Sequence, residues 1–350
     1  MRFAYVGWVG FGNLGDDAIA EALLGQLRPD EVVYAAHTMK DLRRAVGRGG
    51  AGDRHLLLGG GTAIGRRNWR TVLNVAGVAQ ARQRPWFMIG AGVEDPAFSG
   101  RNSFSGRDEL HRWRRALGRF DRVTVRGPRS AELLADVGVE ARVVGDPALL
   151  LEPADEARAG ETGGALGLCL GFGDDLWGHA PRRVLDAVTE TAVRQADSGR
   201  QVRLLVMNDE DDAAAQHVVD AVDERHPGSA SKHRVGTGAE FFAALDGCHT
   251  LVAQRLHGAV LAAAAGVPMI ALEYQPKCRD FMASIGQDDL SLRCDEVSAD
   301  LLTDAIERLD SSRFARVEQI TLAVKSYRAA LTGELTRIRE VATTSRPTTR

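Results

Sequence analysis

The chain has 350 residues, 44% of them apolar and 26% charged, with a formal net charge of −3 at pH 7. This is ordinary globular composition, and it excludes a disordered, collagen-like or disulfide-scaffold protein and an overall field that would attract nucleic acid. The length exceeds the roughly 250–300 residues that one core supports, so two lobes facing a cleft are expected.

From the N-terminus, short apolar runs alternate with amphipathic stretches. Arg2–Val9 reads as a strand, and Met1–Gly15 as that strand plus a glycine-rich loop rather than a signal peptide. A helix over Asp16–Leu27 follows, then a strand at Val32–Ala36 and a helix at Met39–Gly47. The strand His55–Leu58 ends in Gly59-Gly60-Gly61-Thr62. Trp69–Arg84 reads as a helix, Trp86–Ala91 as a strand, Leu110–Gly118 as a helix and Arg122–Val125 as a strand. Pro128–Val137 is a helix and Arg142–Val144 a strand. Strands separated by helices imply βαβ units and a parallel sheet. The rhythm breaks over Glu152–Gly164, a stretch of acidic residues, Ala, Gly and Pro153 with little apolar content.

Beyond the break the alternation restarts. Strands are expected at Leu166–Leu170, Val202–Met207, Thr250–Ala253 and Pro268–Leu272. Helices are expected at Arg182–Gln195, Asp212–Glu224, Gly238–Leu245 (after a polar loop), His257–Ala265 and Cys278–Ile285. Two terminal helices, Ala299–Leu309 and Arg313–Arg339, precede a polar tail over Thr343–Arg350. The expected division is an N-terminal α/β lobe over 1–152, a C-terminal α/β lobe over 164–312, and a C-terminal helix with its tail over 313–350. Both lobes should be Rossmann-like and doubly wound, with ligands in the loops at the carboxyl ends of the strands. The longest mostly apolar stretch, Ala259–Leu272, is too short to span a bilayer. The four cysteines are scattered without a C-x-x-C pair, which fits reduced thiols in a cytoplasm, and no His/Cys/Asp grouping has metal-ligand spacing.

The candidate functional residues lie just after strands. Gly10-Phe11-Gly12-Asn13-Leu14-Gly15 has the spacing of a dinucleotide fingerprint. Asp16 and Asp17 in the first helical turn oppose that reading, because two carboxylates there repel a pyrophosphate from the positive helix end. They read either as capping residues of a tight turn or as site carboxylates. Gly60, Gly61 and Thr62 offer a close backbone approach to a ligand, or simply a turn. In the second lobe, Arg255 and His257 sit at a strand-to-helix turn with Leu256 facing the core, and Tyr274 and Lys277 follow the next strand. A cluster of Arg255, His257 and Lys277 suits an anionic ligand such as a phosphate or carboxylate. Arg126 leaves another strand end toward the cleft, and Gly145-Asp146-Pro147 closes the last strand of the first lobe. Because 40 of the 44 basic residues are arginine, a lone arginine carries little weight. The segment 313–350 holds eight basic residues against three acidic ones. That is either a solvated helix face or a peripheral, salt-sensitive contact with an anionic membrane.

Taken together, these segments resemble the polysaccharide pyruvyl transferase family. The matching stretches are GNLGDDAI at Gly12–Ile19, GGGT at Gly59–Thr62, VRGPRSAELL at Val125–Leu134, GDPAL at Gly145–Leu149, RLHGAVLAAAAGVP at Arg255–Pro268, and Tyr274-x-x-Lys277 followed by Phe281 and Gly286. One departure is Gln254, where many members carry serine or another small residue. The resemblance implies a two-lobed fold of the glycosyltransferase-B type and transfer of pyruvate from phosphoenolpyruvate to two hydroxyls of a sugar, giving a cyclic ketal and phosphate. It implies that Arg255, His257 and Arg126 handle phosphoenolpyruvate, as a co-substrate and with no resident cofactor. The chemistry asks for a general acid, His257, and a carboxylate base, for which Asp16 is the candidate and Asp17 the second choice. A helix N-terminus lowers the histidine pKa and a bound anion raises it, and the anion is expected to prevail. Asn13, Tyr274, Lys277 and the Gly60-Gly61-Thr62 turn complete the expected substrate-binding set. The acceptor is a cell-wall polymer, a lipid-linked repeat unit or a small glycoside, and the expected location is the cytoplasm or the inner membrane surface. A nucleotide-sugar glycosyltransferase and a non-catalytic carbohydrate-binding relative are the alternatives.

Overall fold

The structure is a computed structural model in which residues 1–34, 54–79, 84–98, 108–154, 164–171, 173 and 175–344 are described. The expected helix over Met39–Gly47, most of the 152–164 break and nearly all of the polar tail lie outside those residues.

The first lobe runs β1 (Arg2–Val6), α1 (Leu14–Leu27), β2 (Glu31–Tyr34), β3 (His55–Leu58), β4 (Thr62–Ile64) and α2 (Arg67–Ala79). It continues through β5 (Trp86–Met88), β6 (Gly92–Val93), α3 (Glu109–Leu117), β7 (Thr124–Val125), α4 (Pro128–Ala135) and β8 (Arg142–Val143). Strands β2-β1-β3-β5 form a parallel sheet in that order, with β4-β6 and β7-β8 as short parallel pairs. Single parallel bridges, Trp86 to Phe120 and Ala91 to Val125, carry the pairing onward. The second lobe runs β9 (Ala165–Cys169), α5 (Pro181–Asp197), β10 (Val202–Val206), α6 (Asp212–Arg225), β11 (Ala230–Arg234) and α7 (Gly238–Leu245). Next come β12 (Cys248–Ala253), α8 (Leu256–Ala264), β13 (Met269–Glu273), α9 (Pro276–Ser284), β14 (Ser291–Arg293) and α10 (Ala299–Thr344). Its parallel sheet has the order β11-β10-β9-β12-β13-β14, the strand order of a dinucleotide-type Rossmann sheet.

The alternation of the sequence is thus the alternation of the fold, with three differences. The stretch Ala230–Arg234 is a strand, not a polar loop. It pairs on one side only, so an edge position tolerates its Lys, His and Arg side chains. The pairs β4-β6 and the strand β14 are too short to leave a periodic signature. The two terminal helices are one helix of 46 residues. Ser311 and Ser312, where the pattern breaks, turn their hydroxyls back onto the Arg308 carbonyl at 2.9 and 2.7 Å and stay inside it.

The lobes share a contiguous apolar core. Ala18, Leu23 and Leu27 of α1 belong to the same buried cluster as Ala259 and Ala263 of α8. The Leu14 N–H donates to the Met207 carbonyl at the end of β10, at 3.4 Å. The N-terminus of α4 has no side-chain cap of its own. Asp280 of α9 caps it across the cleft, accepting from the Arg129 N–H at 2.8 Å and the Ser130 hydroxyl at 2.9 Å. Helix α10 starts on the second lobe and returns to the first. Arg328 donates to the Leu149, Leu151 and Ala264 carbonyls at 2.7–3.1 Å. Buried Glu334 accepts from Arg122, Arg142 and Arg337 at 2.6, 3.1 and 2.9 Å. Arg313 donates to the His249 carbonyl, and Arg316 pairs with Asp289. Much of the basic C-terminal charge is therefore engaged within the molecule. Arg346 and Arg350 lie outside the described residues. No helix among the described residues is long and apolar enough to cross a membrane, and all four cysteines are free and buried.

Candidate active site

Each sheet reverses direction in its middle, at β1 beside β3 and at β9 beside β12. The loops leaving such a pair diverge and open a crevice at the carboxyl ends. The two crevices meet in a cavity of about 400 Å³. The first lobe supplies Gly7 and Trp8 after β1, Asn13 and Asp16 at the start of α1, Gly60, Gly61 and Thr62 after β3, and Arg126 after β7. The second supplies Arg255 and His257 at the β12–α8 turn, and Tyr274 and Lys277 at the β13–α9 turn.

Of the expected catalytic and substrate-binding residues, all but Asp17 line this cavity. Its Oδ1 instead accepts the Gly10 N–H at 2.7 Å, which holds the β1–α1 loop. Trp8, Arg66, Asn68 and Trp69 also line the cavity. Arg66 lies just beyond the described strand β4 and its Nε donates to Glu94 at 2.7 Å. In a chain so rich in arginine, nothing local distinguishes it.

The cations differ in how they are held. Arg126 is 1% exposed and its Nη1 lies 3.3 Å from Asp146 Oδ2, while its buried Nε and Nη2 have no hydrogen-bond partner. A buried guanidinium edge left unpaired is costly, and at a cavity wall it marks a place for an anion. Arg255 is held differently from the expected open clamp. Its Nε and Nη2 each lie 2.6 Å from an oxygen of buried Asp211, which takes one edge of the fork. The Lys277 ammonium lies 4.7 Å from the centre of the Tyr274 ring. Tyr274 thereby steers a cation.

Two groups are poised for proton transfer. Burial pushes the His257 imidazole down to about 4. Asp146 opposes this from 3.7 Å, while Arg126, Lys277 and Arg255 reinforce it. With the chain's own groups alone, His257 is therefore neutral at pH 7. Any upward pull beyond that of Asp146 must come from a bound anion. Burial raises the Asp16 carboxyl from 3.8 to about 6 against the pull of Lys277, with Asp17 adding to the rise. Asn13 Nδ2 donates to Asp16 at 2.5 Å and fixes its rotamer. Gly61, at φ +77°, crosses so near that an added Cβ would lie 2.9 Å from Asp16 Oδ1. No group of metal-ligating side chains is present among the described residues.

A second cavity of about 260 Å³ shares Arg66, Arg255, Tyr274 and Lys277 with the first and runs along the β9/β12 crevice. Gln254 lies on its wall and accepts the Gly171 N–H at 3.1 Å. The residue that departs from the family pattern thus closes the strand-order reversal of the second sheet.

A family model described as polysaccharide pyruvyl transferase matches residues 13–276. No curated protein matches the sequence. Among solved structures, the chain is similar to the UDP-GlcNAc 2-epimerase from Neisseria meningitidis bound to UDP-GlcNAc, at 9% identity and a TM-score of 0.57 over 96% of this chain and 100% of that one. It is similar to a putative UDP-N-acetylglucosamine 2-epimerase from Listeria monocytogenes, at 13% identity and a TM-score of 0.56 over 96% and 94%. It is also similar to the glycotransferase of kitacinnamycin, at 15% identity and a TM-score of 0.53 over 99% of both chains. At such identities the likeness establishes the fold, two Rossmann-like lobes of the glycosyltransferase-B type.

Proposed function

Because the chain belongs to the polysaccharide pyruvyl transferase family, we propose that it moves pyruvate from phosphoenolpyruvate onto two hydroxyls of a sugar or glycan, forming a cyclic ketal and releasing phosphate. The observation that carries this reading is the unpaired, buried edge of Arg126, facing Lys277 and Arg255 across one cavity. A small donor with a carboxylate and a phosphate matches separate cations on two walls.

Arg126 presents its open fork to one anionic group of the donor. Lys277, with Arg255 braced by Asp211, receives the other. The reaction begins when a proton is added to the donor's methylene carbon, which becomes the methyl group, and the adjacent carbon becomes oxocarbenium-like. One acceptor hydroxyl adds there and gives up its proton. Phosphate then leaves with the bonding electrons of its C–O bond, and the second hydroxyl closes the ketal and loses its proton. One hydroxyl proton balances the new methyl group, and the other leaves with phosphate. His257 is the proton donor and Asp16 the base, facing it from the first lobe. Donor binding offsets the charge of Arg126 and Lys277, two of the groups that hold His257 neutral.

The pKa order of the protein alone favours a second reading with the roles exchanged, since Asp16 keeps its proton to higher pH than His257. The pH profile of kcat/KM for phosphoenolpyruvate in H257Q and D16N separates the two, because the surviving limb belongs to the group left in place. The overall reaction is tested by phosphate release from phosphoenolpyruvate against a panel of glycosides, with mass spectrometry of the product. Glycoside-dependent release with a product carrying the pyruvyl ketal is expected. Thermal protection by a nucleotide sugar, with no release from phosphoenolpyruvate, would replace this reading with glycosyl transfer.

A further inference from the structure

The second cavity has a chemistry of its own. Its cations, Arg66, Arg255 and Lys277, are all shared with the first cavity, where the donor is placed. The described residues that it has to itself include Gly171, Leu176, Glu210, Gln254 and Gln275, and none of them is a cation. Two are nearly buried amides, Gln254 at 5% and Gln275 at 7% exposure. Gln254 follows β12 and is tied twice to the end of β9. Its N–H donates to the Cys169 carbonyl at 2.8 Å, and its Oε1 accepts the Gly171 N–H at 3.1 Å. Gln275 follows β13, and its Nε2 donates to the Asp175 carbonyl and carboxylate at 3.0 and 3.1 Å. Each side-chain amide is thus fixed by one end. The other ends, Gln254 Nε2 and Gln275 Oε1, have no hydrogen-bond partner among the described residues. A nearly buried amide end without a partner costs free energy, and at a cavity wall it marks a place for a ligand. The cavity therefore offers one donor and one acceptor, both uncharged. Glu210 adds a carboxylate to its wall, which disfavours an anion.

We infer that this second cavity binds an uncharged sugar residue of the acceptor, the neighbour of the residue that receives pyruvate, so that the acceptor is at least a disaccharide. This rests on the pyruvyl-transfer reading above. A sugar hydroxyl both donates and accepts, and an acetamido group carries one group of each kind, so either meets the Gln254 N–H and the Gln275 oxygen. A cavity of about 260 Å³ is ring-sized. It adjoins the first along Tyr274 and Lys277, so consecutive rings of one chain occupy both. Gln254 also stands where many members of the family carry serine or another small residue. A serine there would not bring an amide to this wall, which makes Gln254 a determinant of acceptor choice.

The experiment uses methyl glycosides of glucose, galactose and N-acetylglucosamine as probes, and disaccharides in which each is joined to a neutral hexose or to glucuronic acid. In phosphate-release assays of wild type, the disaccharide with a neutral neighbour is expected to have a kcat/KM about tenfold or more above that of the methyl glycoside. Glucuronic acid should bring no such gain. Q254S and Q275A should each cut that ratio about tenfold, the worth of one hydrogen bond to a nearly buried amide. A ratio read within each variant cancels any general loss of activity. Should Q275A fail to fold, Q254S decides by itself, since it installs a residue that relatives carry at this place. A ratio near one in wild type, or a ratio that survives Q254S, overturns the second-ring site while the reaction stands. A gain from glucuronic acid equal to that from a neutral hexose overturns the uncharged assignment. If no glycoside supports release, the reaction is wrong, and calorimetric titration with the same disaccharides then decides the site. Binding that Q254S weakens upholds it, and the absence of such binding overturns it.

Discussion

Gly15 of α1 and His257 of α8 meet across the cleft so closely that a Cβ added to Gly15 would lie 2.1 Å from His257 Nδ1. No side chain fits there without moving the imidazole. The glycine that completes the fingerprint-like spacing thus serves an approach between lobes, not a pyrophosphate. G15A is expected to cut turnover by about 10²-fold or more by displacing His257, a shift of the order of an ångström being enough. It should also lower Tm. The double variant G15A/H257G should recover most of that thermal loss, since the clash disappears with the ring, and a thermal double-mutant cycle measures it. Additive losses would show that Gly15 acts through the backbone alone.

H257Q keeps the size of the side chain and removes its titration. Its turnover should fall by about 10²–10⁴-fold, the usual worth of general acid–base catalysis, with the fold intact by circular dichroism. Full turnover would remove His257 from the mechanism.

Stability against pH should show two opposed contributions. The His257 pKa is lowered from 6.5 to about 4, so the unfolded chain binds the extra proton between those values. The stability it contributes is whole above about 6.5 and is lost as pH falls toward 4. The Asp16 pKa is raised from 3.8 to about 6, so the folded chain binds the extra proton, and the cost of its buried charge is complete above about 6. D16N is therefore expected to be more stable than wild type at pH 7, by about 1–3 kcal/mol, with the gain shrinking toward pH 4. H257Q should instead lose less stability than wild type on acidification. Thermal melts from pH 4 to 8 give both slopes.

The two arginines should respond differently to charge-conserving change. R126K loses the open planar edge and should raise the donor KM by roughly 10–100-fold with little effect on the acceptor KM. R255K disturbs a buried pair before it touches substrate. Its partner Asp211 would lose a bidentate contact, so Tm should drop together with donor affinity. Calorimetric titration with phosphoenolpyruvate and parallel melts distinguish the patterns. An acceptor-only defect in both variants would place these arginines in the other half of the site.

Helix α10 predicts a mechanical and a surface property. E334Q weakens the charged contacts with Arg122, Arg142 and Arg337 and should destabilise the protein by about 1–3 kcal/mol. With Arg313, Arg316, Arg328 and Arg337 engaged internally, flotation with anionic vesicles should be weak at low salt and absent at high salt. Strong salt-resistant flotation would contradict that accounting.

The sequence by itself determined the alternation of strands and helices, the glycine turns that follow β1 and β3, and the delivery of Arg255, His257, Tyr274 and Lys277 to strand ends. These are local properties. They follow from periodicity, from chain conformations that glycine allows, and from the rule that ligands meet parallel sheets at their carboxyl edges. Only the tertiary structure decided which partner each of those groups has. Asp211 sits 44 positions from the Arg255 it braces, and Asp146 is brought between Arg126 and His257. Asp280 caps a helix of the opposite lobe, and Asp17 turns away to a loop while Asp16 enters the cavity. The proton affinities of His257 and Asp16 belong to the same class, because burial and the charges of both lobes set them, and no spacing along the chain encodes where two folded lobes will face each other.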